Sequence, residues 1–408
     1  MSRRRTFLSG MAVAAILVTG STIATMSTSA YASANCVEHL ETVAYLGGHG
    51  HAPEMTDAAL ENARAQSSNH IQVDVRVTAD WVPVLVRDRD LKRTTDVEKV
   101  FPAHRHDDPV SSFTFAELQK LDAGSWYDKA FASQKILPLH DLLEYVYPEG
   151  VGVSITPKEA ESTPGLMEAL IEELRKDPRW SDLLSLGFLE FSSPDLDVLE
   201  TLNANFPEAK ILWAPATLPD DAVLNEQGRW VDTIGHGYRD FEPADAVSVH
   251  QAGMTAALYD VDSPSAMTRA IGSGADKIFT GFPDMLTAIC ADRNPMTDAN
   301  GIEVSAVVAA VDGSDTARAN GEYVTLTNRS NVSIDVSGYY IRTASSLRLE
   351  VGEGYILAPD DSVKVYTGPG TDTSKRFYNG KDVNVLNNTQ DTLTVYSASN
   401  KKVAMFSY

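Results

Sequence analysis

The stretch VAYLGGHGHAPEMTDAAL, residues 43–60, decides how the chain is read. An apolar, β-prone run ends in Gly47 and Gly48. Two histidines follow at alternate positions, His49 and His51, and then Pro53 and Glu54. Thr56 suits a helix N-terminus, and TDAALENARAQ (56–66) continues as a helix. A strand, a loop of reactive groups and a helix make one βα unit, with the loop at the mouth of a site. Yet the residues at the strand tip are Tyr45 and Leu46, which are poor choices for proton chemistry.

The same alternation continues outward. Strand-like runs include IQVDVRV (71–77), VPVLVRD (82–88), VGVSIT (151–156), SLGFLEF (185–191), AKILWAP (209–215), DTIGHG (232–237), MTAALYDV (254–261) and DKIFTG (276–281). Helical patterns such as TPGLMEALIEELRK (163–176) and SPSAMTRAIGSG (263–274) lie between many of them. Repeated βα units predict a parallel sheet, and eight of them close a TIM-type (β/α)8 barrel. With the first run this makes nine candidate strands, one too many. The link between IQVDVRV and VPVLVRD is too short for a crossover helix, so the irregularity is expected there.

The texture changes near residue 291. ADRNPMTDANG (291–301) is polar and contains a proline, as linkers do. Beyond it, short alternating runs such as EYVTLTN (322–328) and DTLTVYS (391–397) predict a small all-β sandwich. The expected organisation is a leader over 1–34, a barrel over 35–290, a linker over 291–300 and a sandwich over 301–408.

The N-terminus reads as an export signal. SRRRTFLSG is basic, MAVAAILVTG is a short apolar core, and YASA offers cleavage after Ala32 or Ala34. The paired arginines before Thr-Phe-Leu resemble a twin-arginine signal; an ordinary signal peptide is the plainer alternative. The apolar run is short for a membrane span. A secreted, soluble, monomeric protein is therefore expected. The net charge is −22, and losing Arg3, Arg4 and Arg5 makes it −25. Such a chain lacks the basic footprint of a nucleic-acid binder and of simple adhesion to anionic lipid.

Residues 42–290 resemble the glycerophosphodiester phosphodiesterase family. The likeness rests on the opening stretch, IQVDVRVTADWVPVLVRDRDLKRTTD (71–96), SFTFAELQKLDAGSWY (112–127), LPLHDLLEYV (137–146) and GADKIFTGFPD (274–284). Residues 301–408 resemble the lamin-tail domain, an immunoglobulin-like sandwich, through NGEYVTLTNRSNVSIDVSGYYI (320–341) and VNVLNNTQDTLTVYSASNKKV (383–403). Its usual early-strand tryptophan is Tyr339 here. The first resemblance implies a (β/α)8 barrel that hydrolyses glycerophosphodiesters to glycerol phosphate and an alcohol with a divalent cation.

What the resemblance implies for individual positions is where the chain departs. The family's His-Arg-Gly falls on Tyr45, Leu46 and Gly47, and its Pro-Glu-Asn-Thr on Pro53, Glu54, Met55 and Thr56. Its Glu-x-Asp metal pair falls on Gln72 and Asp74, its second His-Asp on Arg87 and Asp88, and its Glu-x-Lys on Ser154 and Thr156. Arginine stays protonated and cannot act as a base. Tyrosine, with a pKa near 10, replaces histidine poorly. Each lost acid–base group typically costs ~10²–10⁴ in rate. Of three metal-ligand carboxylates only Asp74 remains, and calcium or magnesium affinity follows carboxylate count.

Three readings stay open. The first is a secreted pseudoenzyme that binds a phosphorylated small molecule, a lipid headgroup or a cell-wall polymer, with no cofactor. The second is an active phosphodiester hydrolase with rearranged residues, and only there do Ca or Mg enter. The third is an adhesion or interaction protein working through the sandwich. Arg76 and Arg87, near the ends of neighbouring strands, are candidates for gripping phosphate; Arg87 has the alternative of pairing with Asp74 or Asp88. His49, His51 and Glu54 are ligand-contact candidates, with His49 or His51 a replacement proton carrier and plain loop residues as the alternative. Finally, the first and last strands of a closed barrel are neighbours. Cys36 precedes the first and Cys290 ends the helix after the last, so a disulfide between them is expected in an exported chain.

Overall fold

The computed structural model describes residues 36, 40–66, 68–311 and 313–408, and the export-signal reading lies outside them. Nine strands form the first domain: β1 (Glu41–Ala44), β2 (His70–Val77), β3 (Pro83–Leu85), β4 (Gly152–Pro157), β5 (Leu189–Ser193), β6 (Lys210–Trp213), β7 (Thr233–Gly237), β8 (Thr255–Tyr259) and β9 (Lys277–Thr280). Eight of them are parallel, and β1 closes the barrel by pairing with both β2 and β9. The ninth, β3, is antiparallel to β2 through Val75–Leu85 and Val77–Pro83. The supernumerary strand is thus a hairpin extension, where the short link required one.

The helices around the barrel bury one stripe each. In Leu166–Lys176 the buried residues are Leu166, Ala169, Leu170 and Leu174, the spacing of a single helical face. On β2 the alternation sorts side chains by face: Ile71, Val73 and Val75 pack into the apolar core with Leu60 and Ala63 of helix Asp57–Ala65. The other register, Gln72 and Asp74, points into the barrel. Inside, Val43, Leu212, Ala257 and Phe279 make an apolar cluster against Tyr45 and Tyr259.

The second domain comprises two four-stranded sheets. One contains Ile302–Val308, Tyr323–Asn328, Ser362–Tyr366 and Arg376–Tyr378; the other contains Arg348–Glu350, Tyr340–Arg342, Thr392–Tyr396 and Lys402–Ser407. Their inward residues, including Val324, Leu326, Ile341, Val363, Leu393 and Val395, share one core. This domain meets the barrel on the loops that follow β7, β8 and β9. Arg239 donates to Gln390 at 3.1 Å, Ser407 to Ser263 at 2.8 Å, and Lys402 Nζ sits 4.0 Å above the Phe282 ring. The Arg342 guanidinium lies 4.0 Å from the Tyr127 ring and donates to the Tyr127 carbonyl at 3.1 Å.

Cys36 and Cys290 form a disulfide, with their Cα atoms 5.3 Å apart. Barrel closure brings the start of β1 and the end of helix Pro283–Cys290 together, as the topology demanded. No helix among the described residues is long and apolar enough to cross a membrane.

Candidate functional site

The C-terminal ends of the strands open onto a cavity of about 180 Å³. Gln72, Asp74, Thr156, Lys158 and Ser192 line one side; Tyr45, Leu212, Tyr259 and Phe279 line the other. The polar side comes from β2, β4 and β5, and the aromatic side from β1, β6, β8 and β9.

After β1 the chain turns sharply at Tyr45–Gly47, with φ of +50° at Leu46, +75° at Gly47 and +81° at Gly48. Glycine tolerates that region; leucine does so only under restraint. Two hydrogen bonds supply it. Leu46 N–H donates to Gln72 Oε1 at 3.0 Å, and Met55 N–H donates to the Leu46 carbonyl at 2.9 Å.

The first of these bonds fixes the chemistry of Gln72. A backbone N–H only donates, so the side-chain atom facing it is the amide oxygen. The amide nitrogen must then be the other atom, and it donates to Asp74 Oδ1 at 2.8 Å and to Thr156 Oγ1 at 3.0 Å. One of the two carboxylates expected of the family is thereby an N–H donor aimed at the other. Asp74 is fully enclosed, and burial raises its pKa despite Lys158, Arg87 and the Gln72 hydrogen bond, which oppose the rise.

Ser154, the third ligand position, is turned away. Its hydroxyl donates to Glu190 Oε1 at 2.8 Å, and Lys277 Nζ holds the other Glu190 oxygen at 2.6 Å. This buried trio points to the N-terminal end of the barrel. Among the described residues no three His, Cys, Asp or Glu side chains form a metal-holding group. With a donating amide, a donating hydroxyl and one carboxylate, the three positions do not fit a divalent cation.

Tyr45 and Arg87, the two positions where the resemblance places acid–base histidines, stack on each other. The Arg87 guanidinium lies 5.6 Å from the centre of the Tyr45 ring. Burial pushes the Tyr45 hydroxyl well above the ordinary tyrosine value, with Arg87 opposing. Arg87 itself is held more firmly charged by Tyr45 and Asp74. Neither exchanges a proton near neutral pH.

The other candidates fall as follows. Arg76 donates to the Arg87 carbonyl at 3.0 Å and pairs with Glu159 at 3.2 Å, so its charge is spent beside the cavity and not in it. Glu54 receives a two-pronged contact from Arg93, at 2.6 and 3.1 Å, and Arg93 also holds Asp88. Against the cost of burial, these carboxylates keep Arg93 firmly charged. His51 pairs with Asp284 at 2.9 Å and faces Phe282, away from the cavity. His49 lies 3.5 Å from Asp262 and edge-on to Tyr45, ring centres 5.8 Å apart. Asp262 is anchored by Gly281 N–H at 2.7 Å and, despite burial, is held below the usual carboxylate range with help from His49.

Sequence reading missed Lys158 and Asp262. Lys158 lies two residues beyond Thr156, on the same face of β4 and just past its end, so a lysine has moved one step outward along the strand. The interval of two was the available signal. Asp262 offered none, because only closure of the barrel brings it to His49.

Comparison with known proteins agrees with this architecture. The sequence model described as the glycerophosphoryl diester phosphodiesterase family matches residues 47–285, and the lamin tail domain matches 295–408. The chain is 26% identical over 260 residues to a glycerophosphodiester phosphodiesterase of Bacillus subtilis, covering 61% of this chain and 85% of that one. It is 26% identical over 248 residues to one from Caldanaerobacter subterraneus, covering 60% and 95%. A phosphodiesterase of Oleispira antarctica, solved with the product sn-glycerol-3-phosphate, shares the barrel with a TM-score of 0.55 at 24% identity, over 62% of this chain and 96% of that one.

Proposed function

The chain belongs to the glycerophosphoryl diester phosphodiesterase family, and from that premise we propose that it is an exported member that binds a phosphorylated ligand without hydrolysing it. The observation that carries this reading is the Gln72 amide. Its oxygen is claimed by Leu46 N–H and its N–H is directed at Asp74, where hydrolysis with a divalent cation would need a second carboxylate. Tyr45 and Arg87 support it, since neither gives or takes a proton near neutral pH.

Binding is a separate matter from turnover. Among the described residues that line the cavity, Lys158 is the one cationic side chain, and it faces an aromatic wall across a space suited to a small headgroup. A lysine in a recess favours an anion. Free glycerol phosphate, a lipid headgroup and a cell-wall polymer share that chemistry. The basic, then apolar N-terminus and the paired cysteines support export.

Thermal denaturation of the whole chain with glycerol phosphate and with inorganic phosphate tests the binding half. Binding to the folded state alone raises the melting temperature. The rise should vanish in Lys158→Met. No rise with either compound removes the phosphorylated ligand from the account, while leaving the loss of hydrolysis to be judged by a turnover assay.

One observation favours a second reading, an active hydrolase with a displaced proton carrier. His49 sits against Asp262 and Tyr45, a histidine–carboxylate pair one loop away from the family position. That reading requires turnover that His49→Gln abolishes.

A further inference from the structure

The turn between β2 and β3 spends conformational strain to hold out a tryptophan. Thr78 N–H donates to the Val82 carbonyl and Trp81 N–H to the Thr78 carbonyl, both at 3.1 Å, closing a tight hairpin. Thr78 Oγ1 accepts from Val82 N–H at 2.9 Å, and Asp80 Oδ1 takes Phe115 N–H at 2.8 Å, which pins the loop. The last loop residue of such a hairpin is left-handed, and glycine normally fills it. Here it is Trp81, at φ +65°. A bulky residue in that region is an outlier, and strain of this kind gathers where a site needs it.

The indole is 59% exposed, but one of its faces is not free. A methyl group placed on Gly165 would lie 2.8, 2.9 and 3.0 Å from the ring atoms Cη2, Cζ3 and Cζ2. An approach in the ring plane would bring one atom much closer than its neighbours. Near-equal distances to three adjacent atoms put Gly165 over the flat of the benzo ring. The indole therefore lies face-down on the loop after β4, with its opposite face outward. That loop also carries Lys158, so the ring sits on the rim of the same barrel mouth.

We propose that Trp81 is a stacking platform for the pyranose ring of a glycan. An outward, rigidly backed aromatic face offers dispersion contact to a flat apolar surface at little conformational cost. A pyranose with equatorial hydroxyls presents such a surface in its axial C–H groups. The surroundings favour this occupant over an anionic membrane. Asp80, Glu159 and Glu161 are exposed on the same two loops, and the chain carries −22 overall. Carboxylates repel anionic headgroups but accept hydrogen bonds from sugar hydroxyls. The platform does not depend on whether the cavity hydrolyses anything.

The test uses the whole chain with its tryptophan side chains labelled for NMR, the Trp81 indole N–H being assigned by its loss in Trp81→Phe. Cellohexaose and chitohexaose are the probes, with phosphatidylcholine and phosphatidylglycerol vesicles alongside. The Trp81 resonance should move with at least one hexamer at about millimolar concentration. Trp81→Gly should weaken that binding about tenfold or more. It should also melt at the same or a higher temperature, because glycine suits a φ of +65°. No movement with either hexamer would overturn the proposal. So would unchanged hexamer binding by Trp81→Gly, or engagement of Trp81 by vesicles and not by sugars.

Discussion

Ser154 Oγ donates to Glu190 Oε1 at 2.8 Å towards the N-terminal end of the barrel, and Lys277 holds the other Glu190 oxygen while also pairing with Glu41. The position where the resemblance places a metal ligand is thus part of a buried network in which Lys277 serves both Glu190 and Glu41. On the proposed reading, the departure from the family pattern extends inward from the barrel mouth.

Restoring the acid at that position should therefore harm the fold. Ser154 is fully buried, and Ser154→Glu would set another carboxylate against Glu190, whose one lysine is already shared with Glu41. An uncompensated buried charge costs about 3–5 kcal/mol, whereas Ser154→Ala, losing one hydrogen bond, costs about 1 kcal/mol. Urea denaturation of the two variants measures the difference. Equal stabilities would mean that Glu190 does not face this position.

That network also marks how far the sequence alone reached. The (β/α)8 barrel was legible because apolar, β-prone runs recur along residues 42–290 with helical patterns between many of them. The short link after Val77 marked where the irregularity lies, and the structure shows it to be the β3 hairpin. The exchanges at Tyr45, Gln72, Arg87 and Ser154 were visible because flanking residues such as Pro53, Glu54 and Asp74 kept their register. What those side chains touch was not visible. Arg76 and Arg87 sit where a phosphate grip was expected, but Glu159 and Tyr45 engage them. Glu190, Lys277 and Asp262 meet their partners only through barrel closure, at sequence separations that no local pattern encodes.

Docking of the sandwich should carry a pH signature from Lys402. Burial pushes its pKa down to about 8, while Asp284 and Asp262 act in the opposite direction. The folded state thus disfavours the charged lysine. Its cost is present in full below about pH 8 and fades as the pH rises towards 10.5, the ordinary value. The two carboxylates themselves pair with His49 and His51. The nearby Tyr396 and Tyr238 are raised by burial and titrate above the ordinary tyrosine value. Lys402→Met should accordingly melt higher than the parent at about pH 7, and the gap should narrow steadily as the pH rises from about 8 towards 10.5. A gap that is constant across that range would contradict a depressed lysine.

The disulfide closes a loop spanning the barrel, with Cys36 and Cys290 separated by 254 residues. Chain-entropy reasoning gives on the order of 5 kcal/mol for so long a loop, and removing native disulfides typically costs about 2–5 kcal/mol. Cys290→Ser, or reduction of the parent, should lower the denaturation midpoint by a matching amount. Two thiols titrating in the folded, unreduced protein would contradict the bond.

The central claim is that Gln72, Tyr45 and Arg87 leave the barrel without a cation site and without an acid–base pair. Release of glycerol phosphate from glycerophosphocholine, with calcium or magnesium added, tests it most directly when an active relative is run in parallel. The account predicts no release above that of Asp74→Ala with either ion, while the relative turns over. Cation-dependent release by the parent chain that Asp74→Ala abolishes would contradict it.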